Sequence, residues 1–190
     1  MSKSSKTSIQ LKFEASFHHL VYVKSNLEYH RVEHQRRREL FYSDLDQFIN
    51  EHNFEVSEEK SKKNLIDIYK KNKCVTVSKI DKHCKLIFKK IAKQTHPDLS
   101  PSEEKLAMFI KARNAIDESD WFSLYQIALL LNIRIPDVTT VHVKWMEEEA
   151  KKANALVSTI VNTLEWLYFE EASNKEHIMT NYCMATCNKK

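Results

Sequence analysis

The sequence predicts an all-α protein: a helical head flanked by two long helices that form an antiparallel stalk, with room for a short N-terminal strand ahead of them. Three observations predict it. The 190 residues include no glycine, against a usual share of about 7%, and tight hairpins and β-rich folds rely on the positive φ that glycine supplies. In the middle of the chain, two helices with start signals and opposed faces meet at a proline turn. On either side of that pair, apolar residues recur three and four apart over long stretches.

Met1 to Thr7 is rich in serine and lysine and reads as disordered. Ile9, Leu11, Phe13, Ala15 and Phe17 then alternate with polar residues, the period of a strand. This piece serves as a sheet edge or as an extended arm packed on helices, and residues 1–25 form an N-terminal arm. His18 and His19 are adjacent and project to different sides of most backbones, which disfavours metal binding. From Leu27 to Asn53 the pattern is helical. Leu40, Phe41, Leu45, Phe48 and Ile49 form a stripe that Leu27 and Val32 extend, so residues 26–56 make the first long stalk helix. Arg36, Arg37 and Arg38 within it read as a phosphate-binding patch or as a solvated face flanked by Glu33 and Glu39; the second reading is preferred. Glu58 to Lys63 is a polar hinge. Asn64 to Lys71, with Leu65, Ile66, Ile68 and Tyr69, is a short helix that opens a head over residues 60–134.

The centre of the head is a helical hairpin. Ile80, Cys84, Ile87, Phe88 and Ile91 form one apolar stripe at helical period. Lys82, Lys85, Lys89 and Lys93 fall on the opposite face, with Lys90 beside them. Ser78 and Asp81 form a capping box at its start. Pro97 stops it, because proline lacks the N–H and disfavours helical geometry in the residue before it. The next helix starts with Ser100 as N-cap, Pro101 at its first position and Glu103 completing a second capping box. Leu106, Phe109, Ala112 and Ile116 form its apolar face. The polar tip of the hairpin therefore carries His96, Pro97 and Asp98 beside five lysines.

After a polar break at Asp117 to Asp120, Asp120 caps a helix that turns Trp121, Leu124, Ile127, Ala128 and Leu131 inward. Pro136-Asp137 ends that unit. Residues 137–190 hold the second long stalk helix, one run from Val138 to Glu170 with Trp145, Ala153, Leu156, Ile160, Leu164 and Leu167 inward. A short last helix, capped by Ser173 or Asn174, carries Ile178, Tyr182 and Met184. Long helices on both sides of a head suit an intramolecular antiparallel pair. The stripe from Leu156 to Leu167 also suits a homodimer through the stalk.

Composition removes several function classes. Without glycine there is neither a P-loop nor a dinucleotide fingerprint. A net charge of +4 permits an acidic partner without demanding nucleic acid. Cys74, Cys84, Cys183 and Cys187 are scattered and lack a histidine pair at ligand spacing, which argues against zinc. Cys84 reads as a buried small hydrophobe, and reduced thiols fit a cytosolic protein. There is no apolar signal core at the N-terminus and no run long enough to span a membrane. No cofactor is implied, and His96 and Asp98 have no nucleophile or metal constellation to join, so the chain is not read as an enzyme.

The segment from Lys85 to Asp98 closely resembles helix II and the signature loop of a J-domain, the module of DnaJ-type co-chaperones. Phe88 stands where that family has tyrosine or another aromatic. Lys89 and Lys90 match its basic pair, and Ile91-Ala92 its Leu-Ala. Phe109, Ala112 and Ala115-Ile116 stand where the following helix of the family has Phe, an aliphatic and Ala-Tyr. The resemblance covers roughly a third of the chain. It departs from the family at Thr95, where an aromatic is usual, and in a first helix without the Tyr-x-x-Leu-Gly-Val form. The basic motif after the third helix, the zinc-binding cysteine repeats and the Gly/Phe linker are also missing. The flanking helices and motifs such as Thr163 to Trp166 also resemble small J-domain proteins of large viruses, which would act in a host cytoplasm. The family resemblance implies a minimal co-chaperone. Lys82, Lys85, Lys89, Lys90 and Lys93 would dock on an acidic surface of a DnaK-type heat-shock chaperone, while His96, Pro97 and Asp98 reach the junction of its domains and speed its ATP hydrolysis. The stalk would select a client or a location.

Overall fold

Helix begins earlier than the alternating residues suggest. In a computed structural model that describes residues 7–56, 78–99, 102–135 and 137–189, one helix, α1, spans Ser8–Glu51. It replaces the expected N-terminal strand, and the expected arm over 1–25 is helical from Ser8 onward. The reason lies in the spacing. Phe13, Phe17, Leu20, Val23 and Leu27 are all buried, at i, i+4, i+7, i+10 and i+14, whereas Leu11 is 55% exposed. A two-residue and a 3.6-residue period coincide at positions four apart, so Phe13 and Phe17 satisfy both; Leu20, Val23 and Leu27 continue only the helix. Thr7 and Gln10 start it with a reciprocal capping box. The Thr7 N–H donates to Gln10 Oε1 at 2.9 Å, and the Gln10 N–H donates to Thr7 Oγ1 at 3.4 Å.

The elements that follow are β1 (Phe54–Val56), α2 (Ser78–Thr95), α3 (Glu103–Asp117), α4 (Trp121–Leu130), α5 (Thr140–Val161), α6 (Leu164–Glu170), α7 (Lys175–Thr186) and β2 (Cys187–Lys189). The fold class is all-α, as expected. Among the described residues, sheet is confined to β1 and β2, an antiparallel pair with Phe54 opposite Lys189 and Val56 opposite Cys187. The chain divides into two compact units, one drawn from Met1–Glu14 and Lys71–Lys144, the other from Ala15–Lys70 and Trp145–Lys190. The expected short helix at Asn64 to Lys71, Cys74, the side chains of Ser78 and Asp81, and the Ser100-Pro101 start signal lie outside the described residues.

In the first unit, α2, α3 and α4 pack on one another. Cys84, Ile87 and Ile91 of α2 and Ala112 and Ala115 of α3 are buried, and α4 hides Trp121, Phe122, Leu124, Tyr125, Ile127 and Ala128. Phe13 sets its ring edge-on to Tyr125 at 5.4 Å. Asp120 caps α4 as expected, accepting from the Ser123 N–H at 3.3 Å and from Ser123 Oγ at 2.6 Å. The start of α3 falls at Ser102, whose side chain makes no capping bond.

Both α3 and α4 end in a Schellman motif built without glycine. After α3, the Asp120 N–H donates to Ala115 O at 2.7 Å and the Ser119 N–H to Ile116 O at 3.2 Å. After α4, the Ile133 N–H donates to Ala128 O at 2.8 Å and the Asn132 N–H to Leu129 O at 3.0 Å. The left-handed residue is Ser119 in one, with φ 57°, and Asn132 in the other, with φ 53°.

In the second unit, Phe41, Leu45 and Ile49 of α1 form a core with Tyr168 of α6 and Met179 and Cys183 of α7. Leu40 and Val32, expected in the same stripe, face solvent; the buried positions Leu27, His34 and Phe41 are seven apart, and Val32 and Leu40 lie off that line. The expected single run from Val138 to Glu170 is two helices. The Thr163 N–H and Oγ1 both donate to Ile160 O, at 3.0 and 2.7 Å, and Thr163 is extended, with φ −75° and ψ 155°. That break resets the phase, so Leu164 and Leu167 are exposed and Trp166 and Tyr168 are buried instead. Met184 likewise faces out, and Met179 and Cys183 take the inner positions of α7.

Trp166 fastens α6 to α1. The His30 ring stacks on it with centroids 5.1 Å apart, and the Arg37 guanidinium lies 4.0 Å from its centroid. Arg37 Nη1 also donates to the Trp166 carbonyl at 3.3 Å and to Glu170 Oε1 at 2.8 Å. Trp166→Ala removes a buried aromatic and both stacking partners. It should cost about 3–5 kcal/mol of unfolding free energy, read by denaturant titration. A loss within 1 kcal/mol, roughly the scale of a surface substitution, would contradict this packing.

Candidate functional site

Helix α2 builds the site. Its buried line of Cys84, Ile87 and Ile91 turns Lys82, Lys85, Lys89, Lys90 and Lys93 outward, and all five are exposed. Lys93 lies in the last turn, where a cation complements the helix dipole. Lys90 is the exception among the predicted lysines, since its Nζ donates to the Arg134 carbonyl at 3.3 Å and ties α2 to the segment after α4.

The tip follows from how α2 ends. Thr95 is fully buried and turns its hydroxyl back to Ile91 O at 2.9 Å. The departure from the J-domain pattern at this position is thus a small side chain satisfied within its own helix. The His96 N–H makes the last helical bond, to Ala92 O at 2.8 Å. Pro97, without an N–H, cannot continue. The Leu99 N–H then closes a four-residue turn on His96 O at 2.9 Å, with Pro97 at the second position, where its fixed φ is pre-set.

Within this turn the His96 ring is held from two sides. Phe109 meets it edge-on, with centroids 5.2 Å apart, and Phe109 in turn stacks on Phe88 at 6.2 Å. The Asp98 N–H donates to His96 Nδ1 at 3.3 Å. An accepting Nδ1 assigns the proton to Nε2 in the neutral ring. The same Nδ1 lies 3.5 Å from Asp98 Oδ2, a pairing that forms only when the ring is charged. The Asp98 side chain is 85% exposed, so its carboxylate is available to an external cation or donor.

His96, Pro97 and Asp98 form one turn at the end of the lysine helix. Sequence spacing places Phe109 on the apolar face of α3; its role in orienting His96 depends on a contact between helices that spacing does not reveal. Leu99, at the end of the turn, is 68% exposed and adds an apolar element that the sequence reading omitted.

The arginine triplet is not a free phosphate patch. Arg36 pairs with Glu33 through two bonds of 2.9 and 2.7 Å, Arg37 bonds Glu33 and Glu170, and Arg38 lies over Tyr42. The bonds from Arg36 and then Arg37 hold the Glu33 carboxyl at about 2, well below its ordinary value. The solvated-face reading holds for Arg36, but Arg37 is largely buried against Trp166. A cavity of about 390 Å³ in the first unit lies between Phe13, Leu129, Ile133, Ile135 and Val138, with Arg134 at its edge. None of the tip residues lines it.

No family model matches the chain, and neither a curated protein nor a solved structure matches it. No helix among the described residues is long and apolar enough to cross a membrane. No group of three or more metal-ligating side chains is present among them.

Phe109→Ala should free the His96 ring while leaving α2 and α3 formed. The cost should be about 1–3 kcal/mol, from a half-buried aromatic and its two ring contacts. NMR should detect loss of the ring-current shift on the His96 protons. An unchanged His96 spectrum would show that Phe109 does not orient it.

Proposed function

We propose that this chain is a J-domain co-chaperone acting in the cytoplasm on a DnaK-type chaperone, with client or location chosen by residues outside α2–α4. The observation that carries this reading is the tip. A histidine fixed by Phe109 and by the Asp98 N–H, a proline-set turn and an exposed carboxylate stand at the end of a helix with a lysine face. The J-domain resemblance of the segment from Lys85 to Asp98 supports the same reading.

The parts divide the work by range. The lysines act first and at a distance, steering α2 toward an acidic surface in a salt-sensitive encounter. The tip acts on contact. His96 Nε2–H donates, Asp98 offers a charge-assisted bond to an arginine of the partner, and Pro97 removes the freedom that would otherwise be lost on binding. The ATPase chemistry belongs to the partner, and this chain contributes contacts and geometry.

In a single-turnover assay, the protein should accelerate ATP hydrolysis by a DnaK-type chaperone. His96→Gln and Asp98→Asn should each remove the acceleration with little change in the melting curve, because Asp98 is exposed and His96 is only half-buried. A wild-type protein that accelerates no such chaperone would overturn the proposal in favour of a structural or assembly role. Equal activity in wild type and both variants would move the contact away from the tip.

The lysine face is tested separately. Changing Lys85, Lys89 and Lys93 together to Glu should abolish chaperone binding at low salt and leave helicity as it was, since all three point away from the core. Retained binding would sink the docking geometry.

A further inference from the structure

Two histidines are buried side by side in the first unit, away from the tip. His83 of α2 and His142 of α5 are 7% and 4% exposed, and their ring centroids lie 4.4 Å apart. His142 occupies the third position of α5, and Thr139 is the residue before the helix. The Thr139 N–H donates to His142 Nδ1 at 3.0 Å, and Thr139 Oγ1 lies 3.0 Å from the same atom. This is one arm of a capping box, with an imidazole where Glu or Gln is usual. Because Nδ1 accepts, the neutral ring carries its proton on Nε2, and Nε2 is buried with no hydrogen-bond partner among the described residues.

Among the described residues, the surroundings of His142 offer little to a positive charge. From α2 the facing groups are His83 and Cys84, from α4 Tyr125, and from α1 Phe13 against the Tyr125 ring. His83 Nδ1 is 3.0 Å from the Tyr125 hydroxyl. Burial, followed by Cys84, pushes Tyr125 upward, so it keeps its proton. Protonating His142 therefore has three costs of the same sign. It removes the acceptor that caps the Thr139 N–H. It sets a cation at the positive end of α5. It buries that cation against a second imidazole.

We propose that His142 is a proton-sensitive latch that docks the first turn of α5 on α2 when neutral and releases it when charged. Burial, followed by the neighbouring His83, holds His142 down at about 4, against about 6.5 for a free imidazole. The sign follows from linkage. The released state binds the proton at the higher pH, so docking is complete above about 6.5 and weakens as pH falls toward 4. The latch acts on α2, the helix that carries the lysine face.

The test is hydrogen exchange on the full chain, followed by NMR at the amides of Val143 and Lys144 and corrected for intrinsic rate. The opening constant should rise about tenfold per pH unit as pH falls from about 6.5 to 4. His142→Gln supplies a neutral side-chain acceptor for the Thr139 N–H and should flatten that dependence. In wild type, the ring-proton shift of His142 should titrate well below the ordinary histidine range, and His83→Gln should move that titration upward. This second readout stands even where the Gln variant at 142 folds poorly. The proposal is overturned by a flat opening constant in wild type, by full pH dependence in His142→Gln, or by His142 titrating near 6.5 with α5 still docked.

Discussion

Every chain reversal here is made by a residue that carries a β-carbon, and the packing of the helices depends on it. Left-handed backbone costs a residue with a side chain about 1–2 kcal/mol. Asn and Asp bear that cost best, because a short polar side chain can bond locally. Among the described residues, three of the four with positive φ are of this kind: Asn53 after α1, Asn132 after α4 and Asp137 before α5. The fourth, Ser119, sits where α3 gives way to α4. There the chain gains something specific in return, since the reversal delivers Asp120 directly to the N-terminus of α4 as its cap. After α4 the same device delivers Ile133 into the core. Each stop signal thus also places the next structural group, and residues 118–120 are enough to connect α3 to α4.

How far the sequence could be read follows from which periods are unambiguous. The apolar line of α2 from Cys84 through Ile87 to Ile91, the proline stop and the Asp120 cap are local signals, and the structure agrees with each. The N-terminal strand fails because alternation over nine residues shares its strongest positions, Phe13 and Phe17, with a helix. The discriminating signal was present in the pair Thr7 and Gln10, whose spacing is that of a capping box. The long run after Val138 fails differently. Counting in threes and fours carries a phase through Thr163, and one extended residue is enough to turn Leu164 and Leu167 outward. Nothing in the apolar pattern marks that step, because Thr163 ends α5 through its own backbone and hydroxyl on Ile160 O.

Contacts between elements were the least legible. His34 falls in the buried line of α1, seven residues from both Leu27 and Phe41, where an apolar residue would be expected. Its partner, Glu165, stands 3.9 Å away and is equally buried, 131 positions later in the chain. Burial lowers His34 below its ordinary value, with the carboxylate opposing that shift. A buried ionisable pair of this kind adds little net stability, because desolvation offsets the attraction. Trp166 joins α6 to α1 with His30 and Arg37 on its ring, beside the core contact of Tyr168 with Phe41. No spacing rule connects residues 30, 37 and 166.

The candidate site was the most legible feature because its parts are contiguous and the fold hardly uses them. Asp98 is almost wholly exposed, and the stability of α2–α4 rests on Ile87, Ile91, Ala112 and α4 instead. A line of rings from Phe88 through Phe109 to His96 links core and tip. That line gives the arrangement its direction. Phe88 and Phe109 sit between α2 and α3, so the angle at which those helices meet sets where the His96 ring lies. A change in helix packing would therefore move the ring without touching its own turn. The Asp98 N–H holds the other side of the ring, and so links its position to the backbone of Pro97. The histidine is placed by a helix interface on one side and by a proline-set turn on the other.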